Sequence, residues 1–345
     1  MVSVWIGFIG LVLVLLALDL GVFNRTPHTI SAREALAWTG GWVAVSLAFN
    51  AGVYLAYEHH WLGIGLDIGH ELSGRHAAVQ FFTAYVVEKS LSLDNIFVIA
   101  MIFAYFGIPT QYQHRVLFWG ILGALVLRGT MIGAGIALIQ RVDWLIYIFG
   151  AFLIFTAVKM LVVRHDNIEP ERSLLVRMVR RFYPVTGELH GAKFFVRIDG
   201  KRTATPLALA LVIVESTDLL FAVDSIPAVF AVTLDPFIAF TSNVFAILGL
   251  RSLYFALAAV MDRFRYLKMS LVFVLAFVGV KMILTHHHPI PAWISLSFII
   301  GILLVGVLAS VLRGRSDPVA LASPLREGSG APGAHIAAQT DESTQ

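Results

Sequence analysis

The sequence predicts an all-α membrane protein: a polytopic transmembrane helical bundle of about nine spans, with an inverted three-helix repeat inside it. Three observations predict this. Hydrophobic residues make up 58% of the 345 and charged residues only 14%, where a soluble chain typically carries about 25% charged residues; the mean hydropathy is +0.81. Apolar runs recur at roughly the 20-residue length a helix needs to cross a bilayer. In lipid the backbone must satisfy its own hydrogen bonds, so the runs are helices rather than open strands. Finally, short motifs recur in the same order in two parts of the chain.

Taken in order, the runs lie near 3–23, 34–57, 77–106, 116–139, 143–163, 205–233, 237–260, 267–285 and 292–312. The first is long and ends in "LDLGVFNR", which reads as a retained helix rather than a signal peptide. Arg25, Arg33, Arg115, the basic stretch 164–203, Arg263, Arg265, Lys268, Arg313 and Arg315 fall on one side, and only Arg75 and Arg141 on the other. The positive-inside rule then places the N-terminus outside and the C-terminus in the cytoplasm. The organisation predicted is a transmembrane transporter domain 1–312, with repeat A about 77–163, a cytoplasmic loop 164–203 and repeat B about 205–285. Residues 313–345, rich in Gly, Pro, Ser and Ala, read as a disordered cytoplasmic tail. Inside the loop, "ERSLLVRMVRRF" sets Leu174, Leu175, Met178 and Phe182 along one helical face, an amphipathic basic helix for the membrane surface. "KFFVRIDGKRTA" predicts a β-hairpin turning at Asp199-Gly200.

Several function classes drop out. The sequence pI is about 9.2, but the basic residues sit mostly in short loops between spans, so no nucleic-acid partner is implied. The chain has no cysteine, which excludes disulfides, zinc-thiolate sites, Fe–S clusters and thiol chemistry of its own. No phosphate loop, HExxH or GxSxG occurs. The reading is therefore no enzyme and no prosthetic cofactor.

The repeat places unusual residues in register. "EKSLSLDNI" (88–96) aligns without a gap on "DLLFAVDSI" (218–226), so Glu88 falls on Asp218 and Asp94 on Asp224. Downstream, "ILG" at 121–123 meets "ILG" at 247–249, and "VKM" at 158–160 meets "VKM" at 280–282. Spans 3–5 are thus repeated as spans 6–8. Three is odd, so the copies insert with opposite topology, a recurring plan of secondary transporters with a midplane site between the copies.

Five carboxylates, Glu88, Asp94, Glu215, Asp218 and Asp224, lie within predicted spans. Each costs about 2.5–3.5 kcal/mol at that depth on insertion scales and needs a proton, a basic partner or a metal ion. One reading is a metal site. The plainer one is ion pairing with the intramembrane basic residues Lys89, Arg128, Lys159, Arg251 and Lys281, of which Lys159 and Lys281 sit near helix ends and are placed to snorkel. Glu88 and Asp94, six apart, differ by about 120° in direction, so sharing a face calls for a kink. Pro227 frees the Val223 carbonyl beside Asp224 as a further oxygen, unless it is a tolerated kink alone. Asp19, Asn50, Asn95, Ser225 and Asn243 are supporting polar candidates, each equally readable as helix-packing glue. The inventory is all oxygen, which suits Mg²⁺, Ca²⁺ or Mn²⁺. His59, His60, His70 and His76, with His286, His287 and His288, read as solvated loop histidines or a metal-collecting vestibule.

"VEKSLSLDNIFVIAMIF" and "VESTDLLFAVDSIPAVFAVT" resemble the TerC family of integral membrane proteins, as do "LDLGVFNR", "LAFNAGV", "DGKRTATPL" and "NVFAILGLRSLYF", over roughly residues 1–312. The resemblance implies a bacterial inner-membrane protein related to manganese exporters and historically tied to tellurite resistance. It carries the family's acidic positions onto Glu88, Asp94, Glu215, Asp218 and Asp224. The leading expectation is secondary export of Mn²⁺ in exchange for protons. The alternatives are a membrane-protein assembly or metal-delivery partner without turnover, and a transporter whose cargo is Ca²⁺ or a basic amino acid.

Overall fold

A computed structural model of the protein describes residues 2–21, 32–65, 72–142, 144–162, 177, 181, 183–258, 267–285 and 290–314. The basic helix predicted within 171–182 lies outside the described residues apart from 177 and 181, as do His70, His286, His287, His288 and the tail beyond 314. Ten α-helices are formed among the described residues: α1 (Val2–Gly21), α2 (Ala32–Glu58), α3 (Gly74–Tyr105), α4 (Thr110–Ile139), α5 (Leu145–Val162), α6 (Pro206–Phe230), α7 (Pro236–Leu248), α8 (Leu250–Ala258), α9 (Leu267–Leu284) and α10 (Ala292–Gly314). The fold is an all-α polytopic helical membrane protein. Six helices, α1, α2, α4, α5, α6 and α10, are long and apolar enough to span by themselves, and α7 with α8 makes a seventh if the bent pair is one span. α3 falls short because Glu88, Lys89 and Asp94 interrupt it, and the apolar part of α9 is shorter, Met269–Leu284.

The run predicted at 237–260 as one helix is broken. α7 and α8 bend by 42° at Gly249, and Lys89 of α3 donates from Nζ to the carbonyl of Ala246, at 3.0 Å. A helix end exposes carbonyls that nothing in the helix satisfies. Here a lysine cation reaches across to one of them, also favoured by the negative end of the helix dipole. The start of α7 is held as firmly. Asp235 caps it, Oδ1 accepting from the Phe237 and Ile238 amides at 2.8 and 3.0 Å, with Pro236 at the first helical position, the residue type that suits a donor-free site. Tyr57 of α2 donates to the other oxygen of Asp235, at 2.8 Å.

α3 and α6 lie at the centre. α3 packs on α2, α6 and α7; α4 packs on α6 and α7; α5 packs on α9, and α10 packs on α9 and α3. Large apolar side chains such as Val126, Val162, Leu220 and Val305 face outward, the surface a bilayer requires. The α5–α9 crossing brings two glycine backbones together. A Cβ on Gly150 would stand 3.0 Å from the Gly279 carbonyl oxygen and 2.7 Å from Ile283 Cγ1; one on Gly279 would stand 2.9 Å from the Gly150 carbonyl oxygen and 2.9 Å from Ile154 Cγ1. Small residues let membrane helices approach this closely. Gly279→Val is therefore expected to force the pair apart at a cost of about 1–3 kcal/mol, read as a lowered unfolding midpoint in detergent. An unchanged midpoint would mean that the crossing yields freely.

The predicted hairpin is present. β1 (Phe195–Ile198) pairs antiparallel with β2 (Lys201–Ala204), and Asp199 and Gly200 turn with positive φ, 50° and 77°.

Candidate functional site

The five carboxylates do not converge on one point; they are divided among three places. Among the described residues no three His, Asp or Glu side chains stand close enough together to hold a metal ion.

The first place is a buried knot around Arg128 of α4, which is 2% exposed. Its guanidinium holds Asp218 of α6 side-on along one edge, Nη2 to Oδ1 at 2.9 Å and Nε to Oδ2 at 3.3 Å. Nη1 donates to Glu88 Oε1 of α3, to Asn243 Oδ1 of α7 at 3.1 Å, and to Ser225 Oγ of α6 at 3.3 Å. One arginine thus ties four helices together. The planar fork of a guanidinium suits this work in a way an ammonium does not. For Glu88 and Asp218 the plainer expectation from the sequence, a structural ion pair, describes what the fold does.

The second place is a cavity of about 80 Å³ between α3, α5, α6 and α9. Its wall carries Leu91, Asp94 and Asn95 from α3 and Phe221, Asp224 and Ser225 from α6, three positions that the alignment of 88–96 with 218–226 pairs one to one. Glu88 lines it as well, and Glu88 Oε2 is buried with no hydrogen-bond partner among the described residues. α5 contributes Thr156, which donates to Asp224 Oδ1 at 3.0 Å, together with Lys159. The predicted kink between Glu88 and Asp94 is not needed. α3 is one uninterrupted helix, and the cavity is lined by Glu88, Leu91 and Asp94 along an i, i+3, i+6 row that turns about 120° around it. Pro227 is tolerated inside α6. The carbonyl it frees belongs to Val223, which is 40% exposed and is not part of the cavity wall.

The third place is Glu215, whose carboxylate lies against the backbone of α4 where Gly123 leaves room: a Cβ there would be 2.1 Å from Oε1. The remaining candidates are scattered. Asp19 of α1 accepts from Arg251 of α8 at 2.7 Å, an ion pair that anchors α1 to the bundle. Asn50 is in α2, its Oδ1 buried without a partner among the described residues, and it is not part of the cavity wall. Lys159 is exposed in the last turn of α5, where it also lines the cavity, whereas Lys281 is only 6% exposed and is not a snorkelling end. His59, His60 and His76 gather no metal cluster; His76 Nδ1 shares a 2.8 Å hydrogen bond with Ser73 Oγ.

Residues the sequence did not single out complete the picture. Thr156 looks like any threonine in an apolar span and carries no signal. Asp235 does carry one, since Asp followed by Pro before an apolar run marks a helix start.

The comparisons with known proteins agree with this architecture. The family model of the integral membrane protein TerC family matches residues 73–317, beginning at the cap of α3 and leaving α1 and α2 outside it. An uncharacterized membrane protein of Myxococcus xanthus is 49% identical over 316 residues, 92% of this chain and 94% of its own length. The "Putative membrane-bound redox modulator Alx" of Escherichia coli (strain K12) is 45% identical over 302 residues, 87% of this chain and 92% of its own. An uncharacterized membrane protein of Rickettsia bellii is 43% identical over 309 residues, 90% and 97%. No solved structure matches. Helices, buried charges and relatives agree, and the chain belongs to the TerC family of integral membrane proteins.

Proposed function

We propose that the protein is a secondary transporter that exports divalent cations, Mn²⁺ foremost, from the cytoplasm in exchange for protons. The observation that carries this is the cavity where Asp94 and Asn95 of α3 meet Asp224 and Ser225 of α6. Carboxylate and amide oxygens suit a hard cation. In this reading the ion sheds water onto Asp94 and Asp224, with Glu88 Oε2 available beside them, and proton binding to the carboxylates helps its release outside.

The inverted repeat belongs to the same proposal and has packing in its support. Exchanging α3 with α6, α4 with the α7–α8 pair and α5 with α9 preserves the arrangement: α3 lies on α7 as α6 lies on α4, while α3 with α6 and α5 with α9 pair across the middle. The lysine and arginine distribution supports an orientation with the N-terminus outside and the C-terminus cytoplasmic, and the family resemblance supports placement in a bacterial inner membrane. A redox effect of the kind named for the enteric relatives would run through the cargo, since this chain has no thiol.

A second reading, an assembly or metal-delivery partner without turnover, is favoured by the Arg128 knot, where the fold itself neutralises two of the five acids. Total cell metal, measured by mass spectrometry in a manganese-loaded bacterium lacking its own exporters, separates the two. Export predicts lower manganese with the protein than with an empty vector. Unchanged manganese, calcium and magnesium would leave the partner reading.

A further inference from the structure

The transport reading leaves the β1–β2 hairpin unused, although it is the most basic feature among the described residues outside the helices. It is fastened to the membrane end of the bundle. Thr205, the residue before α6, donates from Oγ1 to the carbonyl of Lys193 at 2.7 Å and from its amide to that of Phe194 at 3.0 Å. Ala204 donates to Pro184, at 2.8 Å, and accepts from Thr186, at 3.0 Å. Arg115 of α4 lies over the Phe194 ring, 5.2 Å from its centre. The spanning helix α6 starts at Pro206, so the base of the hairpin sits at the bilayer surface.

The strand register then orders the chemistry by depth. Phe195 pairs with Ala204 and Arg197 with Arg202, so Phe195, Arg197 and Arg202 share one face. Nearest the bilayer stands an aromatic pair, exposed Phe195 with exposed Tyr183, ring centres 5.4 Å apart. Two residues farther out, about 6–7 Å on, stand two exposed guanidinium groups directly opposite each other. Like charges so placed destabilise a strand pair unless an anion lies between them. A basin of about 1020 Å³ opens here, lined also by Lys193 and His190, while the acidic residues Glu188 and Asp199 are not part of its wall.

We propose that this face binds the phosphodiester headgroup of an anionic phospholipid, the two arginine forks taking the phosphate oxygens and the aromatic pair lying at headgroup level. Arginine forks match phosphate geometry, aromatic rings gather at membrane interfaces, and basic clusters beside a span favour anionic lipid. Only a lipid, unlike a free phosphate ester, would use the aromatic pair and the adjacent bilayer together.

The test is lipid retention by full-length protein in a neutral detergent, read by native mass spectrometry. The probes are phosphatidylglycerol, phosphatidylcholine and water-soluble glycerol 3-phosphate. Wild type is expected to retain phosphatidylglycerol over phosphatidylcholine by about tenfold, and Arg197→Glu/Arg202→Glu to bring the ratio close to one. Arg141→Glu, at an exposed position outside the hairpin, is expected to leave the preference intact. Should the charge reversal fail to fold, Arg197→Gln/Arg202→Gln carries the same expectation. A preference undiminished in the paired variant overturns the site, and glycerol 3-phosphate held as well as phosphatidylglycerol overturns the lipid.

Discussion

Asp94→Asn and Asp224→Asn are each expected to reduce manganese export to the level of an empty vector while the protein still inserts at normal abundance. Amide for carboxylate preserves shape and removes the charge that a hard dication needs. At position 224 the amide oxygen still accepts the hydrogen bond that Thr156 donates at 3.0 Å, so the local packing has little reason to change. Glu215→Gln is expected to cost less, because Glu215 lies against Gly123 and is not part of the cavity wall. Cell manganese at matched expression reads all three. Wild-type export by both aspartate variants would remove the cavity from the transport path.

Arg128→Met is expected to have the largest effect on the folded state. It leaves Glu88, fully buried, and Asp218, 13% exposed, without their counter-charge. It also strips a donor from Ser225 and from Asn243. Removing one partner of a buried ion pair costs about 3–5 kcal/mol, a large share of a typical total of roughly 5–15 kcal/mol. Most of the protein should then be lost from the monodisperse fraction in detergent. Neutralising the acids as well, in Arg128→Met/Glu88→Gln/Asp218→Asn, is expected to recover much of it, because no uncompensated charge remains. Arg128→Lys should fall between, keeping the charge but losing the bidentate grip on Asp218. If Arg128→Met is as abundant and monodisperse as wild type, the knot does not hold the four helices together.

The two results bear on different parts of one acidic motif. Glu88 and Asp94 are six residues apart in "EKSLSLD", and the sequence offers no way to tell them apart: both are carboxylates at membrane depth, and both recur in the second copy. They differ only in what faces them. Glu88 meets a guanidinium brought from α4, forty residues on, while Asp94 lines the cavity with Asp224, Lys159 and Thr156. Lys89 shows the same limit. It reads as a counter-ion in the sequence, yet it reaches a backbone carbonyl at the end of α7, a partner that exists only because the helix breaks at Gly249.

Composition and apolar run length alone determined that this chain is an all-α membrane protein and where most of its helices run, the break at Gly249 apart, and motif order alone paired its acids in register. Those are local or one-dimensional properties, set by how apolar a run of about 20 residues is. The hairpin was legible for the same reason, since Asp-Gly between β-rich flanks specifies its own turn. Tertiary structure alone decided how five similar carboxylates divide into an arginine knot, a cavity wall and a contact against Gly123. It also decided that Asp19 and Arg251, 232 residues apart, are partners. The physical reason is that the state of a buried charge depends on the few ångströms around it, and those neighbours come from distant parts of the chain.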